Sequence, residues 1–353
     1  MRILVSGNDY PDSFTRNIVS TAKLMGHSVI VAEHSPVCQH ANRLWRLLWT
    51  ELPRLLPQLQ EWRHRALIGA ARAFQPHLIL VSHGGLEPNL VRDIRSVSTA
   101  KIAAWYPDHL ANLGRQYLLV SDLDAWFFKD PYMVRTFRAK LGLNAHYLPE
   151  ACNPLWHRKV ELSEIERRRY GCDLATASNM YYYRARILER FNDYNLKIWG
   201  CSYPRWLNSP LRHRYPGVYV AEREKAKAFN AAKIIVNNMH YAEIDGVNQR
   251  LFEAAGCGAF QIADYKPALP DLFEPEREIV TFHSQQELEE KVDYYLAHPG
   301  ERQAIADRAY LRAHRDHTYE HRLEKMFGTL GFSLTTREPI RDDLVFQDEQ
   351  ATH

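Results

Sequence analysis

The stretch Asn237–Phe260, NNMHYAEIDGVNQRLFEAAGCGAF, holds the residues of this 353-residue chain whose types and spacing point most directly to chemistry. An acidic, glycine-marked turn, Asp245-Gly246, precedes a predicted helix over 247–255 whose stop signal is Gly256. The first-turn amides of such a helix lack intrahelical partners and carry partial positive charge, which suits a phosphate. Arg250 and Glu253 stand three apart and share one helix face. An arginine can neutralise a diphosphate while a glutamate accepts the paired hydroxyls of a ribose, so a nucleoside-diphosphate ligand would use all three features. Out of context, the same residues read as a capping aspartate and a surface ion pair.

The elements needed to position this helix form two alternating series. In the first half, RILVSG, SVIVAEH, HLILVSH, KIAAWY, DAWFFKD and AHYLPE read as strands, separated by helical stretches at 14–26, up to about Phe74, 90–96 and 133–142. This rhythm predicts parallel βαβ units, a Rossmann-like half with helices on both faces of its sheet. The pattern breaks at a proline around Ala151–Pro154, where the hinge is placed. The second series runs CDLATASN, NLKIWG, KIIVNN, AFQIAD and EIVTFHS, with helices at 181–191, 222–231 and 247–255, and ends in three helices reaching about Gly331. The expected organisation is α/β with two Rossmann-like domains facing across a cleft, residues 1–152 and 153–331, and a poorly ordered tail over 332–353. Parallel sheets bind ligands beyond the carboxyl ends of their strands, and the quoted turn lies at such an end.

Asp245 and Glu253, with seven residues between them, resemble the paired-acid E-x7-E element of glycosyltransferases with the two-Rossmann-domain (GT-B) fold, here with Asp in first place. GVNQRLFEAAGCGAFQIAD, EIVTFHSQQELEEKVDYYLAHPGERQAIA and HTYEHRLEKMF look like the C-terminal domain of the bacterial glycosyltransferase group that includes the spore-maturation proteins. The resemblance covers about Cys172–Phe327, and the N-terminal half shares only its rhythm. It implies a GT-B fold closed by C-terminal helices, a nucleotide-sugar donor in the C-terminal domain, an acceptor in the N-terminal one, and no metal. Carried over by residue, it implies Glu253 on the ribose, Asp245 near the donor sugar, and the amides of Gly246 to Asn248 at the diphosphate. The shorter arm of Asp245 points to a displaced or different sugar.

Further candidates follow from strand ends. TASNMYYYRARILERF puts Asn179 and Arg184 after a strand, as diphosphate or sugar contacts or as a cap and a surface charge. Trp199 and Gly200 end strand NLKIWG and are candidates to flank the base, against a core role for the tryptophan. On the acceptor side, Tyr106-Pro107-Asp108-His109 ends KIAAWY, with Asp108 the preferred general base, His109 its alternative and His83, in VSHGG, the reserve. A turn-capping aspartate is the competing reading of Asp108. SGNDY, after the first strand, holds one glycine and no dinucleotide fingerprint, and is a candidate acceptor lining.

Metal motifs are set aside. Asp122-Leu123-Asp124 precedes a strand and so lies at the wrong end of the sheet, while His314, His317 and His321 are expected to be structural, since the resembled group's HTYEHR segment implies no metal. Five cysteines without a C-x-x-C pair suggest neither a disulfide framework nor zinc, and the expected compartment is the cytoplasm. A net charge of +3 gives no reason to expect nucleic acid, and no apolar run is long enough to span a bilayer. Residues 43–72 combine arginines with Trp45, Trp49 and Trp62, which admits peripheral contact with an anionic membrane or simple packing on the sheet. The expected function is transfer of a sugar from a nucleotide-diphosphate-sugar to a glycan, protein or small-molecule acceptor without cofactor or metal. The alternatives are a nucleotide-sugar epimerase of the same fold and a non-catalytic sugar-nucleotide-binding protein.

Overall fold

A computed structural model describes residues 1–32, 57–82, 86–115, 117–200 and 208–333. His83, residues 43–56 of the arginine- and tryptophan-bearing stretch 43–72, and the expected tail beyond Ser333 lie outside the described residues.

All eleven stretches expected as strands form them. The first sheet contains β1 (Arg2–Ser6), β2 (Ser28–Ala32), β3 (Leu78–Val81), β4 (Lys101–Tyr106), β5 (Ala125–Phe128) and β6 (Ala145–Tyr147), in the order β2-β1-β3-β4-β5-β6. The second contains β7 (Cys172–Ala177), β8 (Leu196–Trp199), β9 (Ala232–Asn237), β10 (Gln261–Asp264) and β11 (Val280–Phe282), in the order β11-β10-β9-β7-β8. The paired strands are parallel in both sheets. Parallel strands buried on both faces need apolar residues at successive positions, and β4 shows why: Ile102, Ala104 and Tyr106 pack into one core, Ala103 and Trp105 into the other.

Helices fill the connections. They are α1 (Phe14–Leu24), α2 (Pro57–Phe74), α3 (Pro88–Val97), α4 (Pro131–Leu141), α5 (Glu164–Tyr170), α6 (Tyr182–Leu188), α7 (Glu222–Ala231), α8 (Gln249–Gly256), α9 (Gln285–Ala297), α10 (Pro299–Asp316) and α11 (Tyr319–Thr329). Local chemistry sets several of their ends. Asp130 caps α4, which closes at Gly142 with φ of 66°, a left-handed conformation glycine adopts without strain. Ser163 and Glu166 form a capping box on α5.

The chain crosses from the first sheet to the second near Cys152, and α11 crosses back. Its Tyr319, Leu323, Met326 and Phe327 join the core beneath the first sheet, and Cys152 bridges to Thr318 just before it. Both sheets reverse their build-up direction between two strands, β1 and β3 in the first, β7 and β9 in the second. Loops diverge at such a switch point and leave a crevice at the carboxyl edge.

Candidate functional site

A cavity of about 510 Å³ opens where these edges meet. From the first sheet it receives Asp12, in the β1–α1 loop, and Asp108, His109 and Asn112, after β4. From the second come Ser178, Asn179, Tyr181 and Arg184 after β7, Trp199 and Gly200 after β8, His240 after β9, and Lys225 and Arg250 from α7 and α8. Six of the expected residues therefore line one space from the donor and acceptor sides together with Arg250: Asp108, His109, Asn179, Arg184, Trp199 and Gly200.

Arg184 and Arg250 dominate the electrostatics. Arg184 donates from Nε to Asn238 Oδ1 (3.0 Å), from Nη2 to the Asn238 carbonyl (3.2 Å) and from Nη1 to the Asn179 carbonyl. Arg250 donates from Nε to the Ala177 carbonyl (2.9 Å) and from Nη1 to Asn237 Oδ1 (3.0 Å). Both side chains are buried, and neither reaches a carboxylate at ion-pair distance among the described residues. Burial, with Arg184 nearby, pulls Arg250 down to about 9, and burial also lowers Arg184. Two adjacent guanidiniums held by neutral acceptors have no anion at ion-pair distance among the described residues, a condition a bound anion would relieve.

Behind them lies a charged cluster that joins the domains. Lys225 Nζ donates to Glu253 Oε1 (2.8 Å) and to Asp12, which stands at φ of 68°. Gln249 Nε2 also donates to Glu253 (2.7 Å). Burial raises the Glu253 carboxyl, but the Lys225 ammonium, by its charge and its hydrogen bond, outweighs it and holds the group below its ordinary value. Burial drives Asp12 the other way, up to about 6. Asp12, His157 and Glu253 have ligand atoms within 4.8 Å of one another, close enough to suggest a metal site. His157 Nδ1 accepts the Asn153 amide (2.9 Å), so the neutral ring carries its proton on Nε2, facing the carboxylates where a metal would need a lone pair. Burial depresses His157 to about 3, so the ring is neutral, and the Lys225 ammonium already sits between the two acids. These donors do not fit a divalent ion.

The paired-acid turn is placed differently from the expectation. The helix begins at Gln249, two residues later than predicted, and its cap is Asn248, whose Oδ1 accepts the Leu251 amide (3.1 Å) while Nδ2 donates to Asn237 (2.9 Å). Asp245 receives Arg135 Nη2 (2.5 Å), and the amides of Ile244 and Asp245 point to Asp130 of the first domain (3.0 and 3.3 Å). A Cβ on Gly246 would lie 2.8 Å from the Lys129 carbonyl, so glycine permits this close approach. Asp245 and Gly246 thus lie at a domain contact, Asn248 is bonded within the second domain, and all three, like Glu253, lie outside the cavity lining. Beside them Lys129 pairs with Glu243 (2.6 Å); its burial is outweighed by Glu243 and Glu150, which raise it.

On the acceptor side, Asp108 Oδ2 accepts Asn112 Nδ2 (2.6 Å) and Oδ1 accepts the His109 amide (3.1 Å), leaving a positioned carboxylate whose side chain is 43% exposed. His109 stacks on His240 of the opposite domain, centroids 3.9 Å apart at 11°. Burial, His109 and Arg184 lower His240 to about 4, so it is neutral near pH 7. Sequence reading missed Asp12, Lys225 and His240. His240 was within reach of the strand-end rule that found Asp108, since it follows β9 as Asp108 follows β4.

The motifs set aside for metal make the following contacts. Asp124 accepts the Ile102 amide (2.6 Å) at the amino end of β5, and Asp122 is exposed. His314 and His317 meet the carbonyls of Gly256 (2.9 Å) and Leu272 (2.6 Å), and His321 belongs to the cap of α11. No helix among the described residues is long and apolar enough to cross a membrane.

Residues 184–328 match a family model described as glycosyl transferase-like. A 125-residue stretch is 27% identical to the spore protein CgeB of Bacillus subtilis (strain 168), covering 32% of this chain and 38% of that protein's length. Among solved structures, sucrose-phosphate synthase of Thermosynechococcus elongatus superposes with a TM-score of 0.65 at 13% identity, over 94% of this chain and 98% of that one. HepE of Anabaena, in complex with UDP-glucose, superposes with a TM-score of 0.63 at 12% identity, over 94% and 99%. An E. coli trehalose-6-phosphate protein bound with UDP-2-fluoro glucose gives 0.65 at 11%, over 95% and 100%. The chain has the GT-B fold shared by these solved structures, and its residues 184–328 are similar to the glycosyl transferase-like family model.

Proposed function

We propose that the protein transfers a sugar from a uridine-diphosphate-sugar to an acceptor bound in the interdomain cavity, without a metal ion. The observation that carries this reading is the pair of buried guanidiniums, Arg184 and Arg250, turned toward the cavity without a carboxylate partner among the described residues. A diphosphate seated there supplies the missing charge. The choice of uridine is supported by the UDP-glucose and UDP-2-fluoro glucose complexes of two structural neighbours.

In the proposed reaction the bond between the anomeric carbon and the diphosphate oxygen breaks through a state of oxocarbenium character, and the acceptor oxygen bonds to that carbon. Arg184 and Arg250 stabilise the charge growing on the leaving diphosphate, the task a metal performs elsewhere. Asp108, oriented by Asn112, takes the acceptor's proton in an inverting displacement. Trp199, with its Nε1 buried and without a hydrogen-bond partner among the described residues, and Gly200 stand at the end of β8 for the base.

The test is turnover of UDP-glucose, and of other UDP-sugars, with EDTA present. Release of UDP that continues under chelation supports the reading. Loss of activity in EDTA, restored by manganese or magnesium, refutes metal independence, and failure of UDP to bind in calorimetry refutes the donor assignment.

A further inference from the structure

Aromatic rings lead out of the cavity in a connected run. His109 stacks on His240, whose ring lies 4.2 Å from Tyr241 at 32° and 4.7 Å from Tyr181. Tyr241 in turn meets Tyr183 edge-on at 6.2 Å. The inner rings, His109, His240 and Tyr181, line the cavity. The outer ones are open to solvent: Tyr241 is 68% exposed, Tyr183 43%, and the adjacent Tyr182 66%. Large aromatic side chains grouped in the open at the mouth of a cavity leave apolar area in water, which marks a binding surface rather than a folding requirement.

We propose that Tyr241, Tyr183 and Tyr182 form a stacking platform for a saccharide acceptor, whose reactive end enters the cavity along the ring run toward Asp108. This deepens the glycosyl-transfer reading above and rests on it. Pyranose rings present a face of C–H groups bordered by hydroxyls. The face packs on the negative face of an aromatic ring, and the hydroxyls reach water or the phenolic groups at its edge. Isolated phosphates or acidic chains would call for cations, which the three tyrosines do not provide.

The platform is built in register with the donor site. Tyr182 and Tyr183 lie in the first turn of α6, the helix that carries Arg184, and Tyr241 lies in the loop after β9 that carries Asn238, an acceptor of Arg184. Tyr181 ties the two segments together, its hydroxyl donating to the Met239 carbonyl (3.2 Å) and its ring lying under the Arg184 guanidinium at 4.4 Å. A shift of the donor-binding arginine therefore moves the platform with it.

The experiment probes the full chain, with UDP present, on an array of neutral oligosaccharides, and in parallel measures UDP affinity by calorimetry. The expected result is retention of one or more oligosaccharide classes by the wild type, weakened at least about tenfold in Tyr241→Ala and Tyr183→Ala and kept in Tyr241→Phe, with UDP affinity unchanged in all three. Retention of no oligosaccharide by the wild type overturns the platform, as does retention undiminished in both alanine variants. Loss of UDP binding by the wild type is a separate result, which refutes the donor reading and leaves the platform to be judged on the array.

Discussion

Replacing Arg250 by methionine separates a binding arginine from a structural one, because the two roles predict opposite signs for stability and affinity. In the folded protein the Arg250 guanidinium is buried, and its depression from 12.5 to about 9 measures how poorly its charge is accommodated. At 1.36 kcal/mol per unit, this is on the order of 5 kcal/mol of unfavourable burial, due first to desolvation and then to Arg184. Methionine keeps much of the volume and loses two hydrogen bonds, to Ala177 and Asn237, worth ~1–1.5 kcal/mol each. Asn237 Oδ1 retains Asn248 as a donor, so only the Ala177 carbonyl loses this contact without a replacement. The ligand-free Arg250→Met variant should therefore be as stable as the wild type or more so, by about 1–2 kcal/mol in urea denaturation. Its affinity for UDP should fall by ~2–4 kcal/mol, about 30- to 1000-fold by calorimetry, since a charge-assisted diphosphate contact is gone. A variant destabilised by more than ~2 kcal/mol that binds UDP normally would show Arg250 to be a strut between β7 and β9 and would remove the main support for the diphosphate site.

Asp12 offers a pH-dependent counterpart. Burial first, and then Glu253 against the opposing pull of Lys225, raise its carboxyl from 3.8 to about 6. The folded state thus holds this proton more tightly than the unfolded one, so the ionised group costs stability above pH 6, and the cost disappears as pH falls toward 4. Asp12→Asn, which also tolerates the φ of 68°, should be more stable than the wild type by about 2–3 kcal/mol at pH 7 and equal to it near pH 4, and a difference that does not vary with pH would contradict this account. Asp108→Asn should lower turnover by roughly 10²–10⁴-fold with UDP affinity nearly unchanged if configuration is inverted, as NMR of the product will show. Near-normal turnover of that variant in an inverting enzyme, with collapse in His109→Ala, would move the base to the histidine.

Eleven strands, their parallel sense and the two-sheet organisation were legible in the chain, because a strand buried on both faces reads as a mostly apolar run and a parallel connection must have helix length. The strand-end rule likewise picked out Asp108, His109, Asn179, Arg184, Trp199 and Gly200, since topology alone puts the carboxyl ends of parallel strands at one edge. Spacing on a helix proved a weaker guide. Arg250 and Glu253 do project from one helix, but which of them meets the cavity depends on α7, whose Lys225 occupies Glu253 from a position 28 residues away in sequence.

Only the tertiary structure decided the rest. Asp245 and Gly246 look like a phosphate turn in one dimension, yet they are pinned by Arg135, Asp130 and the Lys129 carbonyl from the other domain. The pairing of Asp12 with Lys225, the stacking of His109 on His240 and the return of α11 to the first core all join residues more than a hundred positions apart, for which local pattern carries no signal. Period and propensity act over a few residues and determine elements and edges. Charge compensation and close packing act through space, and they determine which side chains of those edges remain free to meet a ligand.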